Sequence, residues 1–328
     1  MIWALSQNVW WFVVAGMFNA TLQVTENSWT CLLIEDAGKS QIINIYTGVY
    51  VAGQLAVFFA PISGLLVNSL TLVPAVRILY LFACISMSAK MIILYKYCDE
   101  TKIGITRLRE TAGQSIFKIL SGYGAIAKKV LGSAQMRTAL ALNALFTITS
   151  TIMMNFFGLY ATQNLMISEF FLSIFPIIRS AILLCFFFFL QSAVSKRGYK
   201  IPMITGIALY LLSHVVLLST PASAGSGMAV VFAISYTVLE ACAHGLVMPR
   251  KDSIVALFIE EDERARINSV MTMAVLAINI PFGYLSGYLS DMDRRLPFIL
   301  NAIIFTSVAV LIVLSQNLSA KKMAEISD

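Results

Sequence analysis

Charged residues are scarce in this sequence. Asp, Glu, Lys and Arg make up 12% of its 328 residues, whereas soluble domains carry about 25%. Charge this sparse cannot cover the surface of a water-soluble globule, and 59% of the residues are hydrophobic. The mean hydropathy of +0.81 agrees with this composition. We therefore exclude a secreted, cytosolic or DNA-binding protein and expect no nucleic-acid partner. The net charge of +6 is then explained by membrane topology.

Residues and motifs that build metal sites, disulfides and enzyme centres are also few. The five cysteines are scattered without a C-x-x-C pair, and there are two histidines, so neither a disulfide framework nor a zinc site is indicated by spacing. H-E-x-x-H and G-x-S-x-G motifs are absent. Gly38-Lys39-Ser40 resembles the end of a P-loop, but Leu33 occupies the position of its first glycine. We expect no cofactor, no metal and no enzymatic activity, and any transport must use a gradient.

Nine nearly uncharged segments are each long enough to cross a bilayer as a helix. A helix of about 20 residues spans a hydrocarbon core of about 30 Å. The segments are 3–22, 43–67, 72–95, 138–160, 170–190, 201–219, 227–248, 267–289 and 297–316. The sequence therefore predicts an all-α membrane protein with nine transmembrane helices and the lipid bilayer as its surroundings.

Lys and Arg are distributed unevenly between the connections. Eighteen of the 23 lie in alternate connections, and the other connections contain only Arg294 and Arg295. The basic connections are 23–42, 96–137, 191–200, 249–266 and 317–328. Because positive residues favour the cytoplasmic side, we expect a cell-membrane protein, in the inner or cytoplasmic membrane, with its N-terminus outside and its C-terminus in the cytoplasm.

An internal repeat relates the two ends of the chain. Residues 28–36 are similar to residues 253–261, at an offset of 225, and each segment precedes a helix that is expected to run outward. Ser63-Gly64 followed by Pro74 matches Ser286-Gly287 followed by Pro297, at an offset of 223. Helices one to three therefore look like a second copy of helices seven to nine.

This organisation resembles the major facilitator superfamily, whose transporters contain parallel repeats of six helices joined by a long cytoplasmic loop. The chain is similar to such a transporter without its first three helices, a 3 + 6 arrangement instead of twelve. The alternatives are an authentic nine-helix protein and a start codon placed too late. The resemblance implies four regions: a partial N-terminal bundle, a cytoplasmic central loop, a six-helix bundle and a cytoplasmic tail. They cover 1–95, 96–137, 138–316 and 317–328.

One loop carries part of the family's G-x-x-x-D-R-x-G-R-R pattern. Lys196, Gly198 and Lys200 fit it, whereas Gln191 and Ser195 replace the first glycine and the aspartate. The match is degenerate, so it predicts no specific charge pair.

Two charges in the middle of predicted spans are the main indication of function. Arg179 lies in the fifth span and Glu240 in the seventh, where a charge costs about 2.5–3.5 kcal/mol and must face protein or a water-filled cavity. We expect either an ion pair or one cation site and one proton site. His244 follows Glu240 by one helical turn, and a carboxylate beside an imidazole suits proton relay. The alternative is a helix–helix hydrogen bond with no transport role.

Uncharged side chains offer further candidates for a solute pathway. Gln54, Asn155 and Asn279 lie within spans and either line a cavity or form interhelical hydrogen bonds. Trp10 and Trp11 lie in the middle of the first span, away from its interfacial ends, and are candidates for stacking on a substrate. We interpret Phe186–Phe189 as lipid-facing and His214 as a packing or interfacial residue.

These residues predict a secondary active transporter of a small solute, coupled to protons, in which two helix bundles rock about a central site. Protonation of Glu240 would release or engage Arg179. Arg179 suits an anionic or zwitterionic solute, but Glu240 is able to neutralise it, so solute charge stays open, as does the oligomeric state. The alternatives are a membrane-embedded enzyme with Glu240 and His244 as its acid and base, and an inactive transporter fragment.

Overall fold

The computed structural model describes residues 2–19, 22–38, 41–59, 62, 65–66, 69–111, 123–191, 194, 199–221, 226–259 and 263–314. Within these ranges the secondary structure is helical and contains no strand. The all-α prediction is therefore confirmed. The helices are α1 (Val9–Asn19), α2 (Leu22–Ile34), α3 (Ile42–Val57), α4 (Leu72–Tyr97), α5 (Lys102–Thr111), α6 (Tyr123–Gly132), α7 (Ala134–Gln163), α8 (Glu169–Cys185), α9 (Lys200–Leu218), α10 (Ser226–Phe258), α11 (Arg264–Met292) and α12 (Leu296–Leu314).

Six of these helices, α4, α7 and α9 to α12, are long and apolar enough to cross a membrane. This is consistent with the predicted integral membrane protein. Three shorter apolar helices, Val9–Asn19, Ile42–Val57 and Ile174–Leu190, fall on the other three predicted spans. Part of the predicted span 43–67 lies outside the described residues. The count of nine spans and the orientation of the termini stay predictions.

The chain divides into two compact units. Unit 1 comprises Met1–Ala37 and Phe58–Ser121, and unit 2 comprises Gly38–Val57 and Gly122–Asp328. In unit 1 a 3-10 turn at Ile2–Leu5 packs against α4. The ring of Trp3 lies 5.6 Å from that of Tyr80, and Lys90 Nζ lies 4.9 Å from the ring centroid of Trp29.

Unit 2 is built around α10, which packs against α3, α7, α8 and α9. Gly206 of α9 permits a close approach to α10, since a Cβ there would collide with Val247 of α10 and lie 3.2 Å from the carbonyl oxygen of Ala243. α7 begins after Ser133, whose side chain accepts a hydrogen bond from the Met136 N–H at 3.4 Å, as an N-cap residue does.

Helix α8 is irregular at two points that matter for the site. Pro176 lies inside it and removes one helical hydrogen bond, which favours a bend. A π-helical turn, Phe186–Leu190, follows the α-helical part. The interpretation of Phe186–Phe189 as lipid-facing is wrong for half of the run: Phe186 and Phe187 are buried, whereas Phe188 and Phe189 are exposed. Four successive residues of a helix cover its whole circumference, so they cannot all face lipid.

The predicted connections contain more helix than the hydropathy indicated. The connection 96–137 contains α5, α6 and the start of α7. Helix α10 continues to Phe258, ten residues beyond the predicted span 227–248. The repeat segments 28–36 and 253–261 consequently begin inside the last turns of α2 and α10. An apolar segment ends where charged residues begin, but a helix continues for as long as its backbone hydrogen bonds are made.

Candidate functional site

Unit 2 contains a partly open cavity of about 590 Å³ that receives side chains from α3, α7, α8, α9, α10 and α12. Ligand sites in proteins commonly have volumes of about 300–1,000 Å³. Eight of the eighteen lining residues have phenyl, phenol or thioether side chains, namely Met153, Met154, Phe157, Phe175, Tyr210, Tyr236, Met248 and Phe305. Three lining residues can carry charge, namely Arg179, Glu240 and His244.

Arg179 and Glu240 form a bidentate ion pair in this wall. Arg179 Nε donates to Glu240 Oε2 at 2.7 Å, and Nη2 donates to Oε1 at 3.0 Å. The Glu240 side chain is 4% exposed and that of Arg179 is 30% exposed. Of the two arrangements expected from the sequence, the structure contains the ion pair, and it covers the carboxylate while the guanidinium stays open to the cavity.

His244 lies beside the pair without a hydrogen bond to it. Its Nδ1 is 3.9 Å from Glu240 Oε1 and 3.4 Å from the hydroxyl oxygen of Tyr210. The ring of Tyr50 meets the imidazole edge-on at a centroid distance of 5.6 Å. A proton passing between Glu240 and His244 would need a small side-chain shift or one intervening water.

A second polar network continues from the site toward the C-terminal end of α10. The Tyr50 hydroxyl of α3 donates to Asp252 Oδ2 at 2.7 Å. Lys251 Nζ is 2.5 Å from Asp252 Oδ1 and donates to Asn143 Oδ1 of α7 at 3.3 Å. Lys251 is 8% exposed, so this buried cation is paired as such groups generally are.

Two further hydrogen bonds join helix α3 to α8 and to Gln191, which directly follows the π-helical turn. Ser180 donates to Gln54 Oε1 at 2.8 Å, and Gln191 Nε2 donates to Thr47 Oγ1 at 3.1 Å. Thr47, Tyr50 and Gln54 are three and four residues apart and therefore lie on one face of α3. One polar face of α3 thus contacts α8 and α10.

His214 is buried behind the cavity wall, where its ring meets Tyr236 and Phe305 edge-on, so of its two interpretations the structure agrees with a packing residue. Its Nδ1 lies 2.8 Å from the Tyr210 carbonyl oxygen, which can only accept, so Nδ1 carries the proton. Asn301 Nδ2 donates to His214 Nε2 at 3.3 Å and to the Thr149 carbonyl at 3.4 Å.

Half of the predicted site residues line the cavity, namely Arg179, Glu240, His244 and Gln54. The others do not. Asn155 is exposed on α7, and Asn279 donates to Thr151 Oγ1 at 3.2 Å as an interhelical hydrogen bond. Trp10 and Trp11, on α1 of unit 1, are 76% and 41% exposed.

Sequence reasoning missed the aromatic wall, although part of it was visible. Tyr236, Glu240, His244 and Met248 follow one another at intervals of four residues, which places them on one helix face. Tyr210 and Phe305 stack at a centroid distance of 4.4 Å, but they come from α9 and α12, and nothing in the sequence relates these two positions.

Comparison of the chain with protein-family models finds no match, and comparison with curated proteins also finds none.

Proposed function

We propose that this protein is a proton-coupled secondary transporter of a small solute, similar to the major facilitator superfamily, with Arg179 and Glu240 at its central site. The observation that carries the proposal is the bidentate ion pair in the wall of a ligand-sized cavity among apolar helices. Charges inside a membrane protein mark ion and solute pathways. Since the chain contains no ATP-binding motif, a gradient supplies the energy.

Coupling follows from the two protonation states of Glu240. The ionised carboxylate occupies two N–H groups of Arg179. When Glu240 takes up a proton, it loses its charge and one of its acceptor sites, so it holds the guanidinium less firmly. Arg179 then binds a solute group more tightly, and release of the solute favours the ion pair again. Proton and solute therefore occupy the site in a linked sequence.

His244 and Tyr210 have the position of a proton relay to Glu240. They lie within 3.4 Å of one another on the side of Glu240 toward the end of α10 that carries Lys251 and Asp252. An imidazole accepts a proton on one nitrogen and releases one from the other. His244 would therefore pass protons between Glu240 and that end of α10.

The polar face of α3 supports movement between bundles. By sequence, α3 belongs to the predicted region 1–95, yet it packs against α8 and α10 of the predicted six-helix bundle. Its polar contacts are hydrogen bonds at Thr47, Tyr50 and Gln54, and Tyr50 and Val51 also pack against the apolar core. These three hydrogen bonds, each with a net value of about 0.5–1.5 kcal/mol, would break and re-form during the movement. Rocking of two bundles needs such an interface.

The geometry favours transport over the alternative of a membrane-embedded enzyme. Both carboxylate oxygens of Glu240 accept hydrogen bonds from Arg179. His244 lies 3.9 Å from the nearer of them, beyond hydrogen-bonding distance. Acid–base catalysis by these two side chains would therefore require the ion pair to open, which is a step that the transport cycle already contains.

The test uses the full chain in proteoliposomes and does not require the solute to be chosen beforehand. A mixture of small metabolites is supplied outside, an inward proton gradient is imposed, and the contents are identified by mass spectrometry. We expect at least one solute to accumulate, and a protonophore to abolish the accumulation.

Glu240→Gln is expected to remove the dependence on the pH gradient. Glu263→Gln is the matched control, because Glu263 pairs with Lys129 instead of lining the cavity. Accumulation of no solute by the wild type, or unchanged proton coupling in Glu240→Gln, would contradict the proposal.

A further inference from the structure

We propose that the cavity binds an organic monocarboxylate with a flat, apolar body. The inference rests on the proposed function for its physiological meaning, but the site itself is defined by geometry. Three features carry it: the free edge of Arg179, the covered state of Glu240 and the aromatic wall.

Arg179 presents an unused hydrogen-bonding edge to the cavity. A guanidinium has five N–H donors, and Glu240 occupies one on Nε and one on Nη2. The remaining three, two on Nη1 and one on Nη2, make no hydrogen bond with the described residues. The edge formed by Nη1 and Nη2 is left for a second planar acceptor, and carboxylates bind such an edge through two parallel hydrogen bonds.

Glu240 offers no comparable surface to a cation. Both of its oxygens are occupied by Arg179, and its side chain is 4% exposed. An organic cation in the cavity would meet the guanidinium, which repels it, before it reached the carboxylate. The asymmetry of exposure within the pair therefore selects an anion.

The rest of the wall suits a flat apolar body. Phe157 stacks on Tyr236 at a centroid distance of 5.2 Å and meets Phe175 edge-on at 5.8 Å. Aromatic faces of this kind favour offset-stacked or edge-on rings. The Tyr236 hydroxyl is buried and makes no hydrogen bond with the described residues, so the wall also holds a donor that lacks an acceptor.

The experiment compares three probes of one shape: 2-naphthoate, 2-naphthylmethylammonium and 2-naphthylmethanol. Binding to the full chain in phosphatidylcholine nanodiscs is measured by calorimetry near neutral pH, with empty nanodiscs as the blank. We expect 2-naphthoate to bind at least about tenfold more tightly than either other probe, as hydrogen bonds to a charged group imply. Equal or tighter binding of the ammonium would overturn the inference.

Two variants localise the binding and separate an anion site from a cation site. Glu240→Gln leaves the guanidinium without its carboxylate partner, so we expect it to bind 2-naphthoate more tightly than the wild type by several fold. If the cavity were a cation site, Glu240→Gln would weaken binding instead. The double variant Arg179→Met/Glu240→Met keeps the volume without leaving a buried charge unpaired, and we expect it to lose 2-naphthoate binding. Binding that neither variant changes would place the probe elsewhere and refute the site.

The two proposals fail separately. If a solute accumulates with the proton gradient but 2-naphthoate does not bind, the substrate class is wrong and the transporter proposal stands. If 2-naphthoate binds at Arg179 but no solute accumulates, the binding site stands and the transporter proposal falls.

Discussion

Helices α4 and α10 are both long and apolar, but they differ in what covers them. None of the most apolar stretch of α4 in unit 1 is buried, whereas half of that of α10 in unit 2 is buried. Their charges differ accordingly. Arg77 on α4 is exposed, while Glu240 on α10 is 3% exposed and paired. A charge within an apolar helix becomes a site where neighbouring helices enclose it and supply a partner.

The largest effect should come from breaking the enclosed pair. Arg179→Ala leaves Glu240 buried without its partner, and we expect a loss of about 3–5 kcal/mol in the free energy of unfolding. Arg77→Ala is the counterpart in unit 1. It removes an exposed guanidinium whose Nη2 lies 3.5 Å from the Ser6 carbonyl, and it should change the free energy of unfolding by less than about 0.5 kcal/mol. Denaturant unfolding in detergent measures both; equal effects would mean that enclosure does not matter.

A smaller difference is expected for two glycines. Gly206→Ala pushes a methyl group against Val247 and the Ala243 carbonyl and should destabilise the protein by about 1–3 kcal/mol. Gly16→Ala in α1 meets nothing within 4 Å and should stabilise that helix by up to about 1 kcal/mol. Thermal unfolding shifts of the same sign for both variants would contradict the close approach of α9 to α10.

The smallest difference concerns two tyrosine hydroxyls. Tyr50→Phe removes the hydrogen bond to Asp252 and should destabilise unit 2 by about 1.5 kcal/mol, as for a hydrogen bond to a charged group. Tyr95→Phe changes a side chain that is 92% exposed and should have no measurable effect. If the two variants unfold at the same denaturant concentration, the Tyr50 hydrogen bond does not stabilise the protein.

The pairing of Arg179 with Glu240 was predictable because both charges lie deep in apolar segments and a deep charge needs a partner. Gln54 was equally visible as a polar residue within a span, and it lines the cavity. Asn279 had the same signal but forms a hydrogen bond to Thr151, and the tryptophans of α1 lie in unit 1. Local sequence shows that a polar or aromatic side chain is enclosed by apolar neighbours, but it does not show which surface that side chain meets.

Composition and spacing alone were sufficient for the helical class, the positions of the long apolar helices and the short set of charges that had to find partners. These are properties of consecutive residues and of the solvent that they require. The tertiary structure decides which edge of Arg179 remains open and which rings surround it. These contacts join helices that are far apart in sequence, such as those of Arg179 and Glu240, which are separated by 61 positions. Packing of whole helices settles such contacts, because each side chain must fit the surfaces opposite it.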